Sequence, residues 1–213
     1  MSNNARSKVA AACRIVGLAV VLSAGAGSMV GFAAVANAGR EGMHGDPAAA
    51  APYRRYQQQD YDCGEMAVAE IGQITGHEPS EAEITAAAAN IPSVSHPGPI
   101  YRAADRTKNS DLPVLLAHYG VQAAAVRTNT DALEQDLDQG HKVIVGLNDR
   151  TIWNKPGDRS TENHFVVVTG IDTKAGLVHL NDSGSRAGRD EQVPIATFEA
   201  TWRTSDNFAV VTS

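Results

Sequence analysis

The stretch NHFVVVTGIDTKAGLVHLND, residues 163–182, decides the fold. Two β-branched runs, 164–171 and 177–181, flank the polar segment Asp172-Thr173-Lys174-Ala175-Gly176. Valine and isoleucine fit a pleated, packed surface, and a five-residue connection with a glycine closes a hairpin. The segment therefore predicts two neighbouring antiparallel strands. Pairing Ile171 with Leu177 and counting back sets His164 opposite Gly184. Asp182 then lies on the face of His164, one diagonal away, and Asn181 points to the other face.

Downstream, the pattern predicts a short helix over 195–202 and a last strand over 208–212. Upstream, residues 142–147 read as a strand, 131–139 as a helix closed by Gly140, and 121–127 as a short strand. Residues 110–119 read as a helix stopped by Gly120. Ser80 with Glu83 has capping-box spacing and opens a helix that runs to about residue 90. Residues 63–75 form the first helix: Ala67, Ile71 and Ile74 recur at helical spacing, Asp62 and Glu65 are spaced as a capping box, and Gly76 ends it. Two long polar loops remain, 91–109 and 148–163. Helices thus come mainly first and strands mainly last. The expected class is α+β, with N-terminal helices packed on a C-terminal antiparallel sheet.

The other end of the chain reads as an export signal. Arg6, Lys8 and Arg14 precede an apolar run to about residue 35, and Ala36-Asn37-Ala38 supplies the small residues of a cleavage site. The plain alternative is an uncleaved anchor, which the many glycines and serines of the run disfavour. Cleavage would remove three positive and no negative charges, taking the net charge from −6 to −9 and leaving 175 of 213 residues. The expected location is extracellular or in the cell envelope, with no membrane segment in the mature chain. An acidic chain has no electrostatic footprint for nucleic acid. Residues 39–52, rich in glycine, alanine and proline, read as a flexible linker, and the folded domain is expected over 53–213.

Cys63 is the single cysteine of residues 39–213. A lone thiol in an exported chain is a reactive group, one half of an intermolecular bridge, or an inert buried cysteine. Its neighbours favour reactivity. Cys63 opens the first helix, whose N-terminal end stabilises negative charge. Gly64 would let a substrate carbonyl approach the backbone. Gln57, six residues earlier, has an amide able to donate to an oxyanion together with the Cys63 backbone N–H; Gln58 and Gln59 read as solvated. Among seven histidines, His164 stands out as a base because it opens an apolar strand after a polar loop. Asp182 is placed by the hairpin to hold the imidazole; the alternative is that residues 181–184 form only a turn. Trp153 and Tyr101, in the two long loops, are candidate substrate contacts or simple packing residues. The histidines lack metal-ligand spacing, so neither metal nor cofactor is expected.

Together these segments resemble the C39-like, papain-like cysteine peptidases. Gln57 through Gly64, Q-Q-Q-D-Y-D-C-G, is similar to the family's nucleophile motif. Residues 163–172 resemble its histidine strand, Leu180-Asn181-Asp182 its aspartate motif, and Phe198-Glu199-Ala200-Thr201-Trp202 its late helix. The resemblance spans about residues 53–212. It implies a papain-like fold, a peptide or protein substrate, Cys63 as nucleophile, His164 as base, Asp182 as its orienting residue and Gln57 as oxyanion donor. Glu65 departs from the pattern, standing where many relatives carry a small residue or proline. Members attached to exporters cleave leader peptides; with a signal of its own and no transporter segment, this chain is not expected to do so. A thiol hydrolase is the leading reading. A peptide-binding module without turnover, or an acyl transferase using the same thiol, are the others.

Overall fold

A computed structural model of the chain describes residues 41–213. The signal-like residues 1–38 lie outside the described residues. In chain order the elements are β1 (Met43–Gly45), α1 (Pro47–Ala50), α2 (Cys63–Thr75), α3 (Glu81–Ala88), α4 (Leu112–His118), β2 (Ala123–Arg127), α5 (Thr130–Asp138), β3 (Val143–Leu147), α6 (Asp149–Ile152), β4 (His164–Asp172), β5 (Leu177–Asn181), β6 (Glu191–Pro194), α7 (Ile195–Trp202) and β7 (Phe208–Thr212). The described residues form a seven-stranded sheet ordered β2-β7-β3-β4-β5-β6, with β1 on β4. Every pair is antiparallel. The fold is α+β, as the order of helical and strand patterns predicts.

The central strands are apolar at nearly every position because both sheet faces are covered. Ile144, Phe165, Val167, Phe208 and Val210 pack on one face with residues of α2, α3 and α4. Val143, Val145, Val166, Val168 and Ala209 pack on the other with Leu133 and Leu137 of α5 and Phe198 and Trp202 of α7. The period-two alternation of side chains sorts each strand between these two layers.

Helix boundaries follow local chemistry. Ser80 accepts from the Glu83 N–H and Glu83 bonds back to the Ser80 N–H, so the capping box of α3 is present. Gly76, at φ 101°, ends α2 in the left-handed conformation. The expected box on α2 is absent: the Asp62 side chain makes no cap hydrogen bond, and Glu65 points into the protein and accepts from Thr107.

The structure departs from the expected linker at 39–52. Backbone pairing joins Met43, His44 and Gly45 to Asp172, Ile171 and Gly170. Asp46 then caps α1 with Pro47 at its first turn. A Cβ on Gly170 would lie 2.5 Å from the Pro47 ring, so the strand carries glycine where this segment crosses it. Folded structure therefore begins by Met43 rather than near Tyr53. Asp46-Pro47 is an N-cap followed by an N1 proline, a signal hidden within a composition that reads as linker.

The hairpin register is also instructive. The turn closes one residue tighter than expected, with Asp172 opposite Leu177 and Ile171 opposite Val178. A bulge between Val168 and Gly170 then absorbs one residue, so that Val167 faces Asn181. Extended from there, the pairing sets His164 opposite Gly184. A Cβ on Gly184 would lie 2.9 Å from His164 Cε1. The expected register is thus recovered at the end of the strands by an irregularity that cancels the error at the turn.

Candidate active site

The N-terminus of α2 meets the start of β4 and the end of β5. Cys63 is buried there, as are His164 and Asp182. His164 Nε2 lies 2.7 Å from Asp182 Oδ1. Nδ1 is the ring nitrogen that Asp182 does not engage, and Cys63 is close enough to act on the charge of the imidazole. Asp182 Oδ1 also accepts from the Gly184 N–H at 2.7 Å. The Asp182 main chain is fixed on both sides: its carbonyl accepts from Arg54 Nε at 2.7 Å and its N–H donates to the Gly188 carbonyl at 2.7 Å. The three groups read from the sequence as a triad are therefore assembled around one imidazole.

Burial alone would lower the pKa of His164. The Asp182 carboxylate, the hydrogen bond to it and the Cys63 sulfur overcome that penalty and hold it well above the ordinary histidine value. The resting arrangement favours the imidazolium form of His164.

Gln57 stands beside the aspartate turn. Its N–H donates to the Ser183 carbonyl at 2.9 Å, the Ser183 hydroxyl donates to its Oε1 at 2.9 Å, and its Nε2 donates to the Gln59 carbonyl at 2.9 Å. One hydrogen of Nε2 is thereby engaged and the amide has a second. Gln58 and Gln59 both donate their N–H groups to Glu81 Oε1, at 2.7 and 2.9 Å, so the glutamine run is a turn strapped to α3.

Trp153 sits on His164, with ring centroids 5.4 Å apart, and its indole N–H donates to Glu191 at 3.2 Å. It thus covers the base. Tyr101 packs against the core on the α2 side and donates to Gln59 Oε1 at 3.4 Å, which ties it to the glutamine turn. Gly64 differs from expectation: a Cβ there would meet Leu112 and Thr107 at 3.1 Å and Phe165 at 3.4 Å. The glycine admits the core and the 91–109 loop, not a substrate carbonyl.

Three acids on or beside α2 escaped the sequence reading as a group. Burial pushes Asp62 up to about 8, and the neighbouring Glu81 carboxyl adds to the effect. Burial pushes Glu65 up to about 7 against the opposing Thr107 hydrogen bond. Burial raises Glu70 to about 8 against the hydrogen bond from Asn181 and the charge of Arg54. The acid that departs from the family pattern, Glu65, is thus folded inward, where much of it is neutral near pH 7. His179, also missed, pairs with Asp190 at 2.6 Å on the far side of β5. Among the described residues, no group of three or more acids, histidines or cysteines is placed to hold a metal, and no helix is long and apolar enough to cross a membrane.

A model of the Peptidase_C39 like family matches residues 50–210. Uncharacterized proteins of Mycobacterium bovis and Mycobacterium tuberculosis are 47% identical over 194 residues, covering 79% of this chain and 83% of theirs. Among solved structures, a candidate C39-like peptidase from Bacillus anthracis superposes with a TM-score of 0.59 at 17% identity, over 80% of this chain and 97% of that one. A double glycine motif protease from an AMS/PCAT transporter, solved with its leader peptide, gives a TM-score of 0.50 at 15% identity, over 74% and 88%.

Proposed function

The chain belongs to the Peptidase_C39 like family, and on that footing we propose that it is an exported cysteine peptidase that hydrolyses a peptide or amide bond. The observation that carries the proposal is the buried contact of His164 Nε2 with Asp182 Oδ1 at 2.7 Å, on an imidazole whose charge is also favoured by Cys63. A module that only binds peptides needs no such assembly.

In this scheme the Cys63 thiolate attacks the carbonyl carbon, and the oxyanion is met by the Cys63 N–H and the free amide hydrogen of Gln57. The His164 imidazolium gives its proton to the leaving amine as the C–N bond breaks, leaving a thioester. Neutral His164 then takes a proton from water, hydroxide adds to the thioester, and the acid departs as the Cys63 thiolate leaves, restoring the thiolate–imidazolium pair. Asp182 keeps the ring oriented throughout. A peptide substrate is supported by the leader peptide bound to the transporter protease of like fold. Export is supported by the signal pattern of residues 1–38, which predicts secreted protein starting near Gly39.

The test is intact-mass spectrometry of the protein mixed with a peptide library and quenched in acid. An acyl adduct on wild-type chain that is absent from Cys63→Ala supports the proposal. Unmodified protein with every peptide left intact would contradict it.

A further inference from the structure

We infer that Glu70 and Asn181 are positioning residues: the buried hydrogen bond between them braces the helix carrying Cys63 against the strand carrying Asp182, and so sets the aspartate against His164. The inference rests on the triad reading above and adds to it a link between its two halves.

Cys63 opens α2 and Asp182 directly follows β5, and the chain between them is over a hundred residues long. Some contact must fix one against the other. Glu70 follows Cys63 on α2 by seven residues, two helical turns, and therefore lies on the same side of that helix about 10 Å along its axis. Asn181 precedes Asp182, so their side chains leave opposite faces of the strand. As Asp182 turns to His164, Asn181 turns to α2. Asn181 Nδ2 donates to Glu70 Oε1 at 2.6 Å and to the Ala50 carbonyl at 3.0 Å. Its Oδ1 accepts from the Asp190 N–H at 3.1 Å. Both side chains are buried, so loss of either leaves the other without its partner in a place that water does not reach.

The chemistry of Glu70 fits a bracing role. With its carboxyl raised to about 8 by burial, it is largely neutral at pH 7. It offers Asn181 an oxygen acceptor without adding a second negative charge beside the Asp182–His164 pair. A glutamine would supply the same acceptor, whereas a leucine would fill the space without one.

A pair that merely stabilised the core would change the melting temperature and leave the imidazole alone, so the readout is the titration of His164 itself. We would follow its ring by NMR in the Cys63→Ala protein, with the signal assigned by its loss in His164→Gln. The charged groups facing that ring are then Asp182 and, beside Trp153, Glu191. Asp182→Asn should lower the His164 pKa, because the attracting carboxylate is gone. Asn181→Ala and Glu70→Leu should lower it in the same direction by at least half as much, and Glu70→Gln should keep the wild-type value. Asn181→Ala added to Asp182→Asn should change nothing further. The inference is overturned if Glu70→Leu leaves the titration where it was while Asp182→Asn moves it, or if Glu70→Gln shifts it as far as Glu70→Leu. Should Asn181→Ala lose its dispersed spectrum, the Glu70→Gln and Glu70→Leu pair decides the matter. If Asp182→Asn itself leaves His164 unmoved, the triad falls and the brace with it, a pattern distinct from failure of the brace alone.

Discussion

The two sides of Cys63 are built differently. On the acid–base side, His164 and Asp182 are buried in adjoining strand ends, and every polar atom of the Asp182 main chain has a partner at 2.7 Å. On the other side, residues 58–61 form an exposed turn hung from Glu81, next to the half-buried Gln57. That turn includes Tyr61 at φ 70°, a left-handed conformation that an aromatic residue seldom adopts, with half of its surface in solvent. His164 and Asp182 are therefore held by the core, while Gln57, the proposed oxyanion donor, is tied to Ser183 and borders a turn exposed to solvent. The cost of a mutation should differ accordingly between the two sides.

The largest contrast should come from the fixed side. Asp182→Asn should lower kcat by on the order of 10⁴ with the fold intact, because the ring loses the acceptor that orients it. Circular dichroism should report an unchanged structure beside that loss. Gln57→Ala should cost less, roughly 10²–10³ in kcat, the effect of one oxyanion donor. Gln58→Ala and Gln59→Ala should be milder, since their bonds to Glu81 run through backbone N–H groups that alanine keeps. Equal losses at Asp182 and Gln57 would erase the distinction between the two sides.

Stability should carry a pH signature shared by both sides. Asp62, Glu65 and Glu70 have folded-state values of about 8, 7 and 8, against ordinary values of 3.8, 4.5 and 4.5. Their values are raised, so the stabilisation is complete below the ordinary carboxyl range and is lost as pH climbs through the folded values. His164, also raised, acts in the same direction. The melting temperature should therefore fall between about pH 4.5 and pH 8. Glu70→Gln should flatten part of that slope from the fixed side and Asp62→Asn part from the turn.

The smallest effects compare two backbone positions. A Cβ on Gly188 would lie 2.2 Å from the Asp182 carbonyl oxygen, so Gly188→Ala must displace the braced turn. It should lower the melting temperature by several degrees and turnover with it. Tyr61→Gly releases a strained residue but adds freedom to the unfolded chain, and should move the melting temperature by less than about 4 °C. A large loss of stability at Tyr61 would mean that the turn is as rigid as the strands.

The same contrast explains what the sequence reveals. The hairpin is legible because two β-branched runs flank a short polar turn, but the turn closes one residue tighter than the pattern predicts, and the placing of Asp182 by parity holds because the bulge restores the register. The bulge at Thr169 is not legible, since it arises where β1 and Pro47 crowd Gly170. Cys63 is legible as a lone thiol at a helix start. The inward turn of Glu65 is not, because Thr107 reaches it from a loop more than forty residues away. Gln57 is legible as a residue type six positions before the cysteine, but its bonds to Ser183 depend on tertiary closure. Residues 43–53 were obscured by composition: glycine, alanine and proline suggest a linker until β4 is there to pair with them.

The central claim is that Cys63 and His164 work as one pair, and alkylation tests it without knowledge of the substrate. Cys63 is the single thiol of residues 39–213, so iodoacetamide has one target. Wild-type protein should label rapidly at neutral pH and continue to label below pH 7. His164→Ala should slow labelling at pH 6 by about tenfold or more and shift the profile to higher pH, as removal of an imidazolium partner from a thiolate requires. His118→Ala and His141→Ala should leave the rate unchanged. A thiol that labels only above pH 8, with the same profile in wild type and His164→Ala, would contradict the account.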